Sequence, residues 1–439
     1  MAPTVPAPAL DYGRLTTTFS QLSKMKAILL AALLLGAAAH ISAQQPARAR
    51  ADSIAKARQD SIALVRELER MRGDTARTGM TPQQAPTNPR MLPDVSAVGD
   101  LVGDLSPKGS TQEDGTRFGV RELELAFQAA VDPFFRGDVF LGFSDLEGVH
   151  IEQAFLTATA LPGFEVRLGR YLMPVGKINT THRHDLHTIE YPWVVQNFFG
   201  PEGLKGTGVY LSKIFAPLGF YQELQLTALD RFGEAPEGLT ADEPPNRELD
   251  GLGFSARLRN YWDLSEAANL ELSASAITGK MEQPLTGPLP SGNNALNARQ
   301  TVFGADFTFR WRPLEQGLYK SFIAQVEFMR QANERISDPL YAGPVGEFNG
   351  GYGFARWQLT RRLYLGGRYD WVEDPFNVGA TMTAGSGYLE WFPSEFSKLM
   401  LGYERLMPGA PAATPKPAAT NRILLQASFA IGPHKPHPF

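Results

Sequence analysis

Along most of the chain, apolar and polar residues alternate in runs of about ten positions, separated by polar or turn-forming stretches. Ile423-Leu424-Leu425-Gln426-Ala427-Ser428-Phe429-Ala430-Ile431 is one such run, with Ile, Leu, Ala, Phe and Ile at its odd positions and Gln and Ser among the even ones. Side chains on a strand point alternately to opposite faces, so each run predicts a strand with one apolar and one polar face. Strands are expected near 95–105, 117–131, 135–144, 149–160, 164–171, 207–214, 220–228, 252–262, 270–279, 301–312, 320–331, 350–360, 363–371, 382–391, 397–405 and 421–431.

The connections sharpen the prediction. After each even strand the link is short, as at Asp132-Pro133-Phe134, Leu161-Pro162-Gly163 and Arg361-Arg362. After most odd strands it is long and polar: 106–116, 172–206, 229–251, 280–300, 332–349, 372–381 and 406–420, with Asp145 to Gly148 the exception. Short turns on one side and long loops on the other are the asymmetry of an outer-membrane barrel, whereas a soluble propeller or sandwich has no reason for it. The expected fold is all-β: a transmembrane antiparallel β-barrel of about 16 strands over residues 94–439. An even strand number places both ends of the barrel on the short-turn, periplasmic side.

The segment ahead of the barrel fits that destination. Lys24 and Lys26 precede an apolar stretch over 27–39 and the small-residue site Ile41-Ser42-Ala43. This is the pattern of an export signal cleaved after Ala43, with Met25 the expected start and the residues before it an extension. The stretch is too short for a membrane helix, which needs about 20 apolar residues. Residues 44–72 place Ile54, Ala57, Ser61, Leu64, Leu68 and Met71 at spacings of three and four, predicting a periplasmic helix or coiled coil. Residues 73–93 read as a linker. The chain has no cysteine, which rules out a disulfide scaffold or thiolate site, and its net charge of −4 argues against a nucleic-acid partner.

Strand parity assigns the faces. Leu123, Leu125, Phe127, Ala129 and Val131 share one side of the second strand, and Glu122, Glu124 and Gln128 the other. A charge facing lipid at the midplane costs about 2–4 kcal/mol, so the polar set must face the lumen. The expected pore lining is Asp100, Asp104, Glu122, Glu124, Arg257, Arg259, Asp306, Arg310, Glu327, Arg368 and Asp370, joined by acids Asp138, Glu223, Glu271 and Glu404 and by bases Arg136, Arg167 and Lys398. Acids outnumber bases in that set. A barrel of about 16 strands is wide enough for an aqueous channel, so a charged interior predicts water. Separate acidic and basic strips would create a transverse field.

Gly169-Arg170-Tyr171-Leu172-Met173-Pro174-Val175-Gly176, continuing through Thr181-His182-Arg183-His184-Asp185-Leu186 and Gly200-Pro201-Glu202-Gly203, resembles the porin superfamily that contains the phosphate-selective porins O and P. The opening Pro93-Asp94-Val95-Ser96 and the terminal Gly432-Pro433 to Pro438-Phe439 also fit porin-like relatives. The resemblance implies a sixteen-stranded, trimeric barrel that passes small hydrophilic solutes, with its third outer loop folded inward. Phosphate selectivity in that family rests on rows of basic lumen residues, and no such row is evident in this sequence.

The loop in question, 172–206, carries Lys177, His182, Arg183, His184, Asp185, His187 and Glu190, the expected constriction. His182, His184 and His187 could converge on a metal with Asp185 or Glu190 as a fourth ligand, although the spacing matches no zinc signature. No cofactor is expected. Passive diffusion through the barrel accounts best for these features. An energy-coupled receptor for a scarce ligand such as a metal chelate would need about 22 strands and a plug, for which the N-terminal segment has no room. A substrate-specific anion channel is a further alternative. Enzymatic chemistry is not expected, because no local motif joins a nucleophile to a base. The expected partners are the lipid bilayer of a Gram-negative outer membrane, small hydrophilic solutes or ions, and two further copies of the chain.

Overall fold

The structure, a computed structural model, describes residues 93–112, 115–144, 148–233, 248–280, 299–333, 347–373, 380–410 and 415–432. The export signal, helix and linker expected over residues 1–92 lie outside the described residues, as do His434 and His437.

Sixteen strands among the described residues form the barrel wall: β1 Asp94–Asp104, β2 Phe118–Ala130, β3 Phe135–Ser144, β4 Gly148–Ala158, β5 Phe164–Leu172, β6 Lys205–Phe215, β7 Tyr221–Arg231, β8 Glu248–Ser265, β9 Ala268–Lys280, β10 Arg299–Trp311, β11 Phe322–Asn333, β12 Phe348–Gln358, β13 Leu363–Glu373, β14 Thr381–Ser394, β15 Ser397–Met407 and β16 Thr420–Ile431. Every strand pairs antiparallel with its neighbours in sequence, and β1 pairs with both β2 and β16, which closes the sheet. Closure leaves no sheet edge unpaired, a requirement for backbone in a lipid environment. The largest departure from the predicted ends is β8, which is longer than 252–262 because its register extends outward to the Arg231–Glu248 pair and inward to a tight Ser265–Ala268 turn.

The outer wall is apolar, with Leu168, Val209, Leu226, Phe307, Val326, Leu365 and Leu401 exposed on it. Aromatic rings gather near the short turns. Trp311 stacks on Trp357 at 5.9 Å, and Phe322 lies 5.5 Å from the same indole. At the opposite ends of the strands, Phe118, Phe254, Phe303, Tyr369 and Tyr403 are exposed. Two aromatic girdles flanking an apolar band are what bilayer interfaces select.

The wall has register irregularities, one of them in β4. Phe140 pairs with Gln153 but the next residue, Leu141, pairs with Ile151, so Glu152 is an extra residue in β4. A bulge of this kind re-aims side chains. Glu152 and Gln153 are both buried inside the barrel although they are adjacent in sequence. His150 pairs opposite Gly142, and a Cβ at Gly142 would stand only 2.3 Å from its Nε2. The missing side chain at Gly142 lets the imidazole lie across β3. His150 therefore faces inward.

Candidate functional site: the loop folded into the barrel

Between β5 and β6 the chain leaves the wall and enters the lumen. Two single 3-10 turns, Ile178–Thr180 and Arg183–Asp185, are followed by the short helix α1, Trp193–Phe199. The loop enters and leaves at one point because Asn179 ties its ends together. Its Nδ2 donates to the Met173 carbonyl at 2.8 Å and the Leu204 carbonyl at 3.0 Å, and its Oδ1 accepts from the Leu204 N–H at 2.7 Å. Gly176 has φ +68°, and a Cβ there would overlap the Glu327 carboxylate. The Pro-Val-Gly step therefore needs its glycine both for conformation and for close approach. The Gly176 N–H donates to Ser275 Oγ at 3.1 Å, and the Ile178 N–H donates to Glu327 at 3.3 Å.

The loop is anchored on several sides of the wall. Lys177 donates to Glu271 of β9 at 2.6 Å. Lys398 of β15 donates to the carbonyls of His184 at 2.6 Å and Leu186 at 3.0 Å. Arg368 of β13 donates to the Glu190 carbonyl at 2.7 Å and to Thr188 Oγ1 at 3.0 Å, and holds Asp370 at 2.7 Å. Asp370 in turn accepts the Trp193 N–H at 3.1 Å, at the start of α1. Arg121 of β2 donates to the Ile189 carbonyl at 2.8 Å and also pairs with Asp100. Apart from the Lys177–Glu271 ion pair, each anchor satisfies a backbone group of the loop, which buried inside the barrel needs a partner.

Packing adds to the ion pairs. Tyr171, Met173, Val175, Leu186, Tyr191, Val194, Val195, Phe198, Phe199 and Leu204 form one buried cluster with Leu229, Ile277, Val302, Met329, Phe348, Tyr352 and Val372 on the inner wall. The Phe198 and Phe348 rings lie 4.4 Å apart. Burying such side chains contributes about 1.5–3 kcal/mol each. The inner wall is thus apolar toward the long-loop ends of β9 to β13, where parity alone predicts a polar, hydrated surface. Water does not fill that part of the lumen, because α1 occupies it.

The predicted constriction residues do not form one group. His182 sits against β2, with Nδ1 2.8 Å from Glu124 and Nε2 2.7 Å from the Gln153 amide. Its ring lies 5.3 Å from that of His184 and 5.5 Å from Phe140. His187 instead stacks on Phe354 of β12 at 6.1 Å. Glu190 pairs with Arg183 at 2.6 Å and Arg121 at 3.4 Å, and Arg422 is 3.9 Å away. Burial works against ionisation of Glu190, but these guanidinium groups outweigh it and lower its pKa to about 2. Burial also works against a charged His182. The hydrogen bond and charge of Glu124 win there and raise the pKa to about 9. At His184 burial prevails and the pKa falls to about 4. A ligand set of His182, His184 and His187 with Asp185 or Glu190 is therefore not assembled. Glu124, from the wall, meets the first two histidines.

The predicted lining residues pair across strands. Arg257 donates to Asp306 at 3.1 Å, and Arg259 reaches both Glu223 at 2.7 Å and Glu271 at 3.1 Å. Arg310 lies 3.6 Å from Glu271. Asp104 accepts from Thr111 and Ser106 rather than from a base. Among the described residues at these positions, acids and bases interleave. An acid-rich region remains on β2 and β4, where Glu122, Glu124 and Glu152 lie close to His150, His182 and Lys205.

No protein-family model matches the chain. An uncharacterized protein of Aquifex aeolicus is 27% identical over 342 residues, covering 73% of this chain and 70% of that one. Among solved structures, Pseudomonas putida OprB superposes with a TM-score of 0.52 at 9% identity, over 77% of this chain and 94% of that one. The outer membrane channel DcaP of Acinetobacter baumannii gives 0.48 at 13% identity, over 77% of this chain and 96% of that one. The fold is that of a porin-type barrel. Among the described residues of this porin-type barrel, Asn179, Glu152, Gln153, Arg121 and Arg422 are site residues that sequence reasoning missed. Asn179 lies in a loop with no period to mark its role. The adjacent polar pair Glu152-Gln153 does carry a signal, because it breaks the alternation of β4.

Proposed function

We propose that the chain is an outer-membrane channel through which small hydrophilic solutes diffuse passively, with a preference for anions. The observation that carries this reading is the exposure of the charged groups inside the wall. Side chains of Arg136, Arg310, Arg167 and Arg259 are 50%, 37%, 34% and 27% exposed, and Arg183 and Lys177 on the loop about 20%. Their carboxylate partners Asp138, Glu271, Glu223 and Glu190 are 10% exposed or less. Glu165 and Asp185 are exposed acids that stand against the trend. A count of lumen charges favours acids. The charges that water reaches are mostly guanidinium groups lying over buried carboxylates. Rings of accessible Arg and Lys favour anions in a pore. The resemblance around Gly169–Gly176 to the phosphate-selective porin superfamily agrees with an anionic solute without choosing one. Localisation in an outer membrane and a trimeric state belong to the same proposal.

Purified protein in a planar bilayer should give stepwise conductance without an energy source. Under a potassium chloride gradient, the reversal potential should report chloride as the more permeant ion. Arg259→Gln with Arg310→Gln should move it toward the potassium side. Absence of conductance defeats the channel reading, and an unchanged reversal potential in the double variant defeats the anion preference.

A further inference from the structure

We propose that Glu124, His182 and His184 form a site for a divalent transition-metal ion of the zinc class, clamping the inward loop to β2. One candidate donor atom from each residue lies within 4.8 Å of the other two. Imidazole nitrogen and carboxylate oxygen are ordinary zinc ligands at about 2.0–2.2 Å, and tetrahedral coordination sets donors about 3.3 Å apart. Side-chain rotation on the order of an ångström closes the set. Two histidines and a glutamate leave a fourth position for water.

The local structure is built to bring these donors together. The 3-10 turn Arg183–Asp185 begins just after His182, and the two imidazoles flank Arg183 with rings 39° apart in plane. Glu124 comes from the wall and already holds His182 Nδ1 at 2.8 Å. Behind the ring, the Gln153 amide nitrogen lies 2.7 Å from Nε2 while its oxygen accepts the Leu172 N–H at 3.2 Å, so the wall holds the imidazole in place. Support of that kind orients most metal-bound histidines. Glu124 and His184 are almost fully buried, whereas His182 keeps a fifth of its side chain open to the lumen. An ion therefore enters from the lumen past His182.

A second donor set lies nearby, and its charge state argues against it. Glu122, His150 and Glu152 are also within 4.8 Å of one another. The Lys205 ammonium binds Glu152 at 2.5 Å and pairs with Glu202 as well. A cation of the chain thus already serves that set. At Glu124 the corresponding partner is His182 Nδ1 at 2.8 Å, itself a donor of the proposed set. Ion binding does not depend on the channel reading. The effect on current does, because a clamped loop should narrow and quieten the pore.

The test uses the full, untagged barrel in detergent with Co2+ as probe and Zn2+ as competitor. Expected is about one ion per chain with a visible ligand-field spectrum of low-symmetry coordination, displaced by Zn2+. Glu124→Gln, close to isosteric, and His184→Ala should each weaken binding by roughly tenfold or more. His187→Ala should leave it unchanged, since that ring lies against Phe354. Retention of β-sheet circular dichroism separates lost ligation from lost folding, and Glu124→Gln keeps the test valid if His184→Ala does not fold. No bound Co2+ in the parent protein overturns the proposal, as does an unchanged spectrum in Glu124→Gln or a loss of binding in His187→Ala. Spectrum and current are read separately, so a protein that binds Co2+ but never conducts refutes the channel and spares the site.

Discussion

Asn179 is the residue on which the shape of the inward loop turns, and Asn179→Ala measures how firmly the loop is held. The side chain is fully buried and makes three hydrogen bonds, to both ends of the loop. Truncation does not orphan all three partners. The Met173 carbonyl keeps the Val175 N–H at 2.8 Å, and the Leu204 carbonyl keeps the Met173 N–H at 2.9 Å. Only the Leu204 N–H loses its acceptor outright. That costs about 1–3 kcal/mol, and the two remaining bonds add about 1 kcal/mol each. A total of about 3–5 kcal/mol makes excursions of the loop from its seat roughly 10²–10⁴ times more frequent. The ladder of the barrel is untouched, so the main thermal transition should stay in place. Single-channel recordings should show excess open-channel noise and transient steps of higher current. Asn179→Asp is the sharper variant, because it keeps the acceptor for Leu204 but sets a carboxylate against two carbonyl oxygens. If both variants give quiet traces identical to the parent, the clasp does not hold the loop and the ion pairs alone do.

Two further perturbations probe the anchors. Arg368→Met removes the partner of Asp370 and two donors to the loop, leaving a buried carboxylate, and should cost about 3–5 kcal/mol in denaturant unfolding. Adding Asp370→Asn should recover a large part of that loss, and equal midpoints for the single and double variants would refute the unpaired-charge explanation. The seating of the loop should also depend on pH. Burial, with Arg356 and Lys398 nearby, holds the His187 imidazole well below its ordinary 6.5. The released loop takes up a proton near 6.5 and the seated loop does not. The His187 contribution is therefore fully present above that value and is lost by about 1.4 kcal/mol for each pH unit below it, until the lowered value is reached. His182, raised to about 9 when the loop is seated, contributes with the opposite sign between about 9 and 6.5, so seating is strongest near 6.5. His184, lowered to about 4, acts in the same direction as His187. Current noise should rise on acidification, and His187→Phe, which keeps the stack on Phe354, should shift that rise to lower pH. An identical pH profile for the variant would remove His187 from the anchor.

The strands were legible because their physics is local and periodic. Alternation fixes which residues share a face, and loop asymmetry fixes which end is which, so Glu124, Asp306 and Arg368 could be put on the inner wall from parity alone. The site was less legible because parity says nothing about what fills the interior. Val302, Ile277, Met329 and Val372 occupy inward positions where a hydrated wall would carry polar groups. Beside outward Phe303, Phe328 and Trp371 they make stretches of β10, β11 and β13 apolar on both faces. Such doubly apolar segments are expected when a strand is covered on both sides. Their restriction to the long-loop ends of β9 to β13 is a sequence signal that something apolar docks there. The docking partner was equally visible as Trp193-Val194-Val195 and Phe198-Phe199, a short apolar stretch inside an otherwise polar loop. Neither feature is informative by itself. Together they specify an internal interface.

That interface constrains where solutes can pass. Helix α1 and its apolar seat seal the lumen along β11 to β13, so water must be sought where charges stay wet. The exposed guanidinium groups of Arg136, Arg167, Arg259 and Arg310 lie on β3, β5, β8 and β10, near the short-turn ends of those strands. Lys177, His182 and Arg183 carry the same accessible character onto the loop. Of these, His182 belongs to the position assigned to the metal ion. An ion bound there would act on permeation in two ways, by its charge and by fixing the loop. The two effects separate experimentally. A bound cation acting through charge alone should change ion preference with little change in noise, whereas a clamp should suppress noise even for an uncharged solute measured by liposome swelling.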